Sequence, residues 1–333
     1  MVRKSVLFCL AMLLAACQGG PVFQHRPAPT SGPTPFPEDN TVVVHMGSYK
    51  LIMACKGKGE PTIVLEHGLD TVSWSIFSLD RFKPISRTCL YLRVGLLGEK
   101  IVGPRTSMDQ VKDLHTLLMQ GGVPGPYILV GHSIAGFNLL LYTGQYPQDV
   151  AGLVCVDCRY ATFDSIFMNK LSWQNPNDLA DILDARKKEN QLEDDWMKNN
   201  EHLDIRSSEK QVLKVTTLVG RPLIVLVAGG HYLYRDQKIN QLYEEAWMEA
   251  SQDLSKLSSR GQIEVLPDDD QDSILKNIKV DAAVRQVFTA VKPCKRAVMP
   301  PKRTGYTETK AYSDWRPSFL RPQIEINPLL ATC

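Results

Sequence analysis

Residues 127–136 read YILVGHSIAG, an apolar run that ends in a serine set among small residues. Ile128, Leu129 and Val130 suit a strand covered on both faces, while Ala135, Phe137, Leu139, Leu140 and Tyr142 begin a helical pattern directly after it. The turn between the two therefore carries Ser133. A turn this sharp is strained and admits only small residues two places before and after the serine, here Gly131 and Ala135, with Gly136 next. It exposes the hydroxyl at the carboxyl edge of a sheet and aims the first N–H groups of the following helix at one point.

Working outward, Thr41–Val44 and Tyr49–Ala54 read as a hairpin, and 61–66, 86–94, 151–157, 222–228 and 262–266 as further strands. Ser107-Met-Asp-Gln110 reads as a capping box that opens a helix through Val111, Leu114, Leu117 and Leu118 to Gly121, and Ala282–Val291 as a closing helix. Strands alternating with helices imply a mostly parallel sheet covered on both faces. Between Cys158 and Leu218 the alternation stops. Phe163, Phe167, Met168, Leu171, Trp173, Leu179, Ile182, Leu183 and Trp196 there lie among many charges, the composition of short amphipathic helices.

With its elbow and this order of strands, the chain resembles the α/β-hydrolase superfamily, serine-hydrolase type, over roughly residues 41–291. Ala135 stands where the G-x-S-x-G motif has its last glycine. The resemblance implies an α/β fold with a mostly parallel eight-stranded sheet, helices on both faces and a helical cap at about 158–221 that supplies an apolar acyl pocket. It implies a carboxylic-ester hydrolase with Ser133 as nucleophile. Glu66-His67-Gly68-Leu69 matches the family's His-Gly turn, which assigns the oxyanion donors to the N–H groups of Leu69 and Ile134. Asp157, at the end of the sixth strand, is the expected acid, with Asp236 as second choice.

The base departs from the pattern. The family carries it after the eighth strand, where this chain reads Leu266-Pro-Asp-Asp-Asp-Gln271-Asp-Ser-Ile274, and Gln271 falls where histidine belongs. No histidine follows His231, and an amide cannot take the serine proton and pass it on. Likewise Tyr91-Leu-Arg-Val-Gly95 has Leu92 where the family has aspartate. Two expectations stay open. In the first, His231 replaces the missing base and forms a migrated triad with Asp157 and Ser133. In the second, the site is a pseudohydrolase that binds a ligand or partner. His202 is a weaker base candidate, and His132 is expected to point away from Ser133 because neighbouring strand residues face opposite ways.

The amino terminus, MVRKSVLFCLAMLLAAC, has a basic start and an apolar run from Val6 to Ala16 that is too short to span a bilayer. Leu14-Ala-Ala-Cys17 resembles a bacterial lipobox. This predicts a signal peptide over 1–16, lipidation of Cys17, and an exported protein anchored to the cell envelope, at the outer membrane where two membranes exist. Residues 17–40, rich in Pro, Gly and Ser, read as a tether, and 292–333 as a basic tail containing proline. The formal net charge is +2, and loss of Arg3 and Lys4 with the leader leaves the two signs equal, which argues against nucleic acid. The expected partners are a small ester or apolar ligand and, through the lipid, a membrane. No cofactor or metal is expected, since Cys155 and Cys158 have no second ligand pair with them. An extended chain would hold those two Cα atoms roughly 10 Å apart, too far for a disulfide. Cys55 and Cys89 fall on strands that the resembled fold makes neighbours, and Cys294 and Cys333 bracket the tail. Both are candidate disulfides.

Overall fold

The computed structural model describes residues 41–173, 195–231, 234 and 236–291. The expectations for the signal peptide, Cys17, the tether, Cys294, Cys333, the tail and 174–194 lie outside the described residues. Eight strands form one sheet: β1 (Thr41–His45), β2 (Lys50–Lys56), β3 (Thr62–Glu66), β4 (Thr88–Leu92), β5 (Tyr127–His132), β6 (Val150–Val156), β7 (Leu223–Gly230) and β8 (Gly261–Asp270), in the order β1-β2-β4-β3-β5-β6-β7-β8. The β1–β2 and β2–β4 pairs are antiparallel and all the others parallel.

Side-chain alternation along β5 divides the core. Tyr127 and Leu129 face one layer, with Leu114 and Leu117 of α2 (Ser107–Gln120), Phe137 and Leu140 of α3 (Ala135–Gln145). Ile128 and Val130 face the other, with Leu79 and Phe82 of α1 (Ile76–Phe82) and, later in the chain, Val284 and Val287 near the carboxyl end. Strands covered on both sides need the unbroken apolar runs seen in β3 and β5, and each fully buried Leu- or Phe-sized side chain contributes about 1.5–3 kcal/mol. The last helix of that second layer approaches β6 closely at Gly152, where an added Cβ would lie 2.5 Å from Val287 Cγ1. Gly152→Ala would therefore push the helix off the sheet.

Cys55 and Cys89 stand directly opposite in the β2–β4 register and are joined by a disulfide. The 34-residue separation it closes corresponds to roughly 3–4 kcal/mol of unfolded-state restriction. Cys155 and Cys158 are buried free thiols. The chain between them is not extended, because Asp157 turns it with a left-handed φ of 48°.

Beyond β6 come α4 (Phe163–Ser172) and α5 (Ile205–Val212). After β7 follow α6 (Gln237–Lys256) and α7 (Ile278–Val291). The twenty-residue α6 is absent from the sequence reading, although Tyr243, Ala246, Trp247, Ala250 and Leu254 bury one face at helical spacing. Asp236, second choice for the acid, instead caps this helix by accepting from the N–H groups of Lys238 and Ile239. The box that opens α2 is also one residue earlier than expected. Asp109 accepts from the Thr106 N–H and hydroxyl, each at 2.8 Å, which leaves Gln110 free to turn into the interior.

Candidate functional site

Ser133 sits on the β5–α3 turn with a φ of 55°, a conformation that costs a side-chain-bearing residue on the order of 1–3 kcal/mol. Its N–H reaches Val156 O at 3.3 Å, and its carbonyl accepts from Gly136 N and Arg159 N. Steric limits hold the turn. A Cβ on Gly131 would lie 2.8 Å from Leu139 Cδ1 and 3.1 Å from the Ala135 Cβ, and one on Gly136 would lie 2.7 Å from Arg159 O. These contacts explain the small residues of the motif, and they show that alanine fits at 135.

Gln271 meets the serine. An Asx-type turn fixes the chain there, the Asp270 carboxylate accepting from Asp272 N and Ser273 N just past β8. From this turn Gln271 Nε2 donates to Ser133 Oγ at 3.1 Å. In either orientation of the amide the serine faces no basic nitrogen.

Asp157 and His231 come together, but away from the serine hydroxyl. Buried at the end of β6, Asp157 accepts from Trp247 Nε1 (2.9 Å) and Ala228 N (3.1 Å) through Oδ1, and Oδ2 lies 2.9 Å from His231 Nε2. The other ring nitrogen, Nδ1, is 2.8 Å from Glu244 Oε2 on α6, and the His231 N–H donates to Glu244 Oε1. Burial alone would lower the affinity of the ring for a proton. Hydrogen bonds and charges from Asp157 and Glu244 outweigh it and bring the pKa up to about 9. With Tyr243 and Trp247 rings 5.6 and 4.8 Å away, this is an imidazolium held between two carboxylates. Of the expected Ser133–His231–Asp157 relay, the Asp157–His231 contact is present, while the second ring nitrogen faces Glu244 and not Ser133. His202 packs against Trp196, with ring centroids 5.1 Å apart.

His132, the residue before the serine, points into the β3–α1 loop. Its Nδ1 lies 2.9 Å from Ser73 Oγ and its Nε2 2.9 Å from the backbone O of Gln271. A carbonyl only accepts, so Nε2 carries the proton and Nδ1 accepts from Ser73. Burial holds this imidazole below its ordinary pKa, against the opposing pull of Asp157 and Asp272.

The loop that follows β3 is pinned from beneath. Arg93 donates to His67 O (2.7 Å), Gly68 O (2.6 Å) and both oxygens of Glu201, and reaches Glu66 at 3.3 Å, all three charged side chains being buried. Gln110 donates to Glu201, and Asn138 to Gln110 and Glu66. Glu201 also accepts from Asp70 N, while the Asp70 carboxylate accepts from Asn200 N. Two carboxylates thus share one guanidinium, with amide donors from Gln110, Asn138 and the Asp70 backbone adding to it, the kind of pairing that lets buried charges be tolerated. The Leu69 and Ile134 N–H groups have no acceptor among the described residues. Leu92, in the place of the family's aspartate, is simply core. Arg93 could be picked out as a charge within an apolar strand, whereas Glu201 gave no sequence signal.

A family model described as alpha/beta hydrolase fold matches residues 61–289. Among solved structures, a thermophilic esterase from Thermogutta terrifontis is 18% identical with a TM-score of 0.50, covering 75% of this chain and 98% of its own. Alpha/beta hydrolase domain-containing protein 10 from mouse is 12% identical with a TM-score of 0.51, covering 74% of this chain and 99% of its own. At these identities the likeness shows the fold alone. The protein named probable transporter efuK of Hormonema carpetanum is 31% identical over 125 residues, 34% of this chain and 18% of that protein. The chain spans less than a fifth of the length of the curated relatives it matches.

Proposed function

Because the chain belongs to the α/β-hydrolase family, we propose that it is an exported lipoprotein descended from serine carboxylic-ester hydrolases whose Ser133 site binds a small acyl ligand and does not turn it over. The observation that carries this reading is the Gln271 amide on Ser133 Oγ at 3.1 Å, in the place where the family has its base. Without a proton acceptor the hydroxyl stays a weak nucleophile, and general-base assistance on the order of 10²–10⁴-fold is lost. What is left is a set of donors, the Ser133 hydroxyl, the Gln271 amide and the N–H groups of Leu69 and Ile134. Such a set suits a carboxylate or an ester carbonyl. The segment between β6 and β7 acts as a cap over it, and Phe163 and Phe167, stacked on each other and edge-on to Tyr243, support that role by giving it an apolar anchor. Cys17 carries the lipid, and growth with labelled palmitate marks the parent but not Cys17→Ala.

Titration of the purified protein with hexanoate tests the binding reading. Saturable binding is expected, weakened about tenfold by Ser133→Ala or Gln271→Ala, in line with loss of about 1.4 kcal/mol per lost donor. Absence of saturable binding, or binding indifferent to both variants, contradicts it. A second reading, an esterase using Ser133, His231 and Asp157, draws on the 2.9 Å contact between Asp157 and His231. It requires the imidazolium to give up a proton held by two carboxylates, and it predicts an ester-hydrolysis rate that rises through pH 9 and vanishes in His231→Ala.

A further inference from the structure

Among the described residues, Ser73 is the serine whose hydroxyl meets an imidazole nitrogen. The arrangement has the parts of a nucleophile and its base. His132 Nδ1 stands 2.9 Å from Ser73 Oγ, and Nε2–H is anchored 2.9 Å away on the Gln271 carbonyl, which fixes the tautomer and orients the ring as a triad carboxylate would. The Gly68 N–H donates to Ser73 Oγ at 3.0 Å and so lowers the cost of losing its proton. Packing holds the group together, since a Cβ on Gly68 would lie 3.2 Å from His132 Nδ1 and 3.3 Å from Ser73 Oγ. Substrate can reach it. Ser73 is half-buried, beside exposed Thr71 and Val72, whereas His132 is buried.

We propose that Ser73 and His132, independently of Ser133, form a nucleophile–base pair that accepts an acyl group from activated esters. Ser73 Oγ attacks the acyl carbon while its proton passes to His132 Nδ1. Collapse of the adduct breaks the bond to the leaving alcohol, which takes the proton from Nδ1. Water then gives its proton to Nδ1, adds to the acyl-serine and releases the carboxylic acid as the proton returns to Ser73. The Leu69 N–H, one residue beyond Gly68 and without an acceptor among the described residues, is the donor available to the acyl oxygen. The Gln271 backbone thus serves this pair while its side chain holds Ser133, which puts two different demands on one residue.

The test treats the intact chain with a fluorophosphonate, and separately with p-nitrophenyl acetate, and maps the adduct by peptide fragmentation. An adduct on Ser73 is expected, with labelling slowed at least tenfold in Ser73→Ala and in His132→Ala. Where His132→Ala does not fold, the mapped position in the parent and the loop variant Ser73→Ala decide the question. Absence of any adduct overturns the Ser73 pair and leaves the silent Ser133 site standing. An adduct confined to Ser133 overturns both.

Discussion

At the β6–β7 edge, an imidazole is held between two carboxylates, and among the described residues neither ring nitrogen meets a serine. At the β5–β8 edge, a half-buried serine on a strained turn meets an amide. Each edge holds half of what proton transfer to a nucleophile requires. The difference lies in the partners. His231 is bracketed by Asp157 and Glu244 and gains its stability from being charged, whereas a general base must be neutral at working pH. Ser133 keeps the backbone geometry of a nucleophile because that geometry is enforced by Gly131 and Gly136 packing, and such packing persists whatever stands opposite the hydroxyl.

Supplying the serine edge with a base should have the largest effect. Gln271→His is expected to raise the rate at which a fluorophosphonate modifies Ser133 on the order of 10²-fold, read by mass spectrometry. Next comes removal of the acid from the imidazole edge. Asp157→Ala leaves His231 with one carboxylate and strips Trp247 Nε1 of its acceptor, and should cost about 3–5 kcal/mol in urea unfolding. If instead Asp157 served Ser133, stability would hold and reactivity would fall.

The pH dependence of stability sharpens the same contrast. The folded pKa of His231 is raised from 6.5 to about 9. Its contribution is therefore complete below pH 6.5 and lost as pH rises from there through about 9, an amount on the order of 3 kcal/mol. Urea midpoints taken across that window should fall in the parent and stay flatter in His231→Gln. The smallest effect is expected from Gln271→Ala, which removes one part-buried hydrogen bond and should change stability by less than about 1.5 kcal/mol.

Legibility in the sequence followed the range of the interactions. The elbow was readable because its constraints lie within six residues of one another, and the sheet because buried parallel strands write themselves as apolar runs. The amide at 271 was readable once the strand order was in place. The surroundings of His231 were less legible, because Glu244 and Trp247 lie on α6, whose apolar stripe is interleaved with charges. Glu201 and Arg93 are 108 residues apart and no periodicity links them. For His132, strand alternation says which face the side chain leaves by and nothing of Ser73 opposite it.

Under the proposed reading, Ser133 keeps a nucleophile's backbone geometry and faces an amide in place of a base. The most direct measurement is the position of covalent modification in the parent protein after exposure to a fluorophosphonate at neutral pH. Ser133 is expected to stay unmodified in the parent and to be modified in Gln271→His. Rapid modification of Ser133 in the parent, abolished by His231→Ala, would contradict that reading.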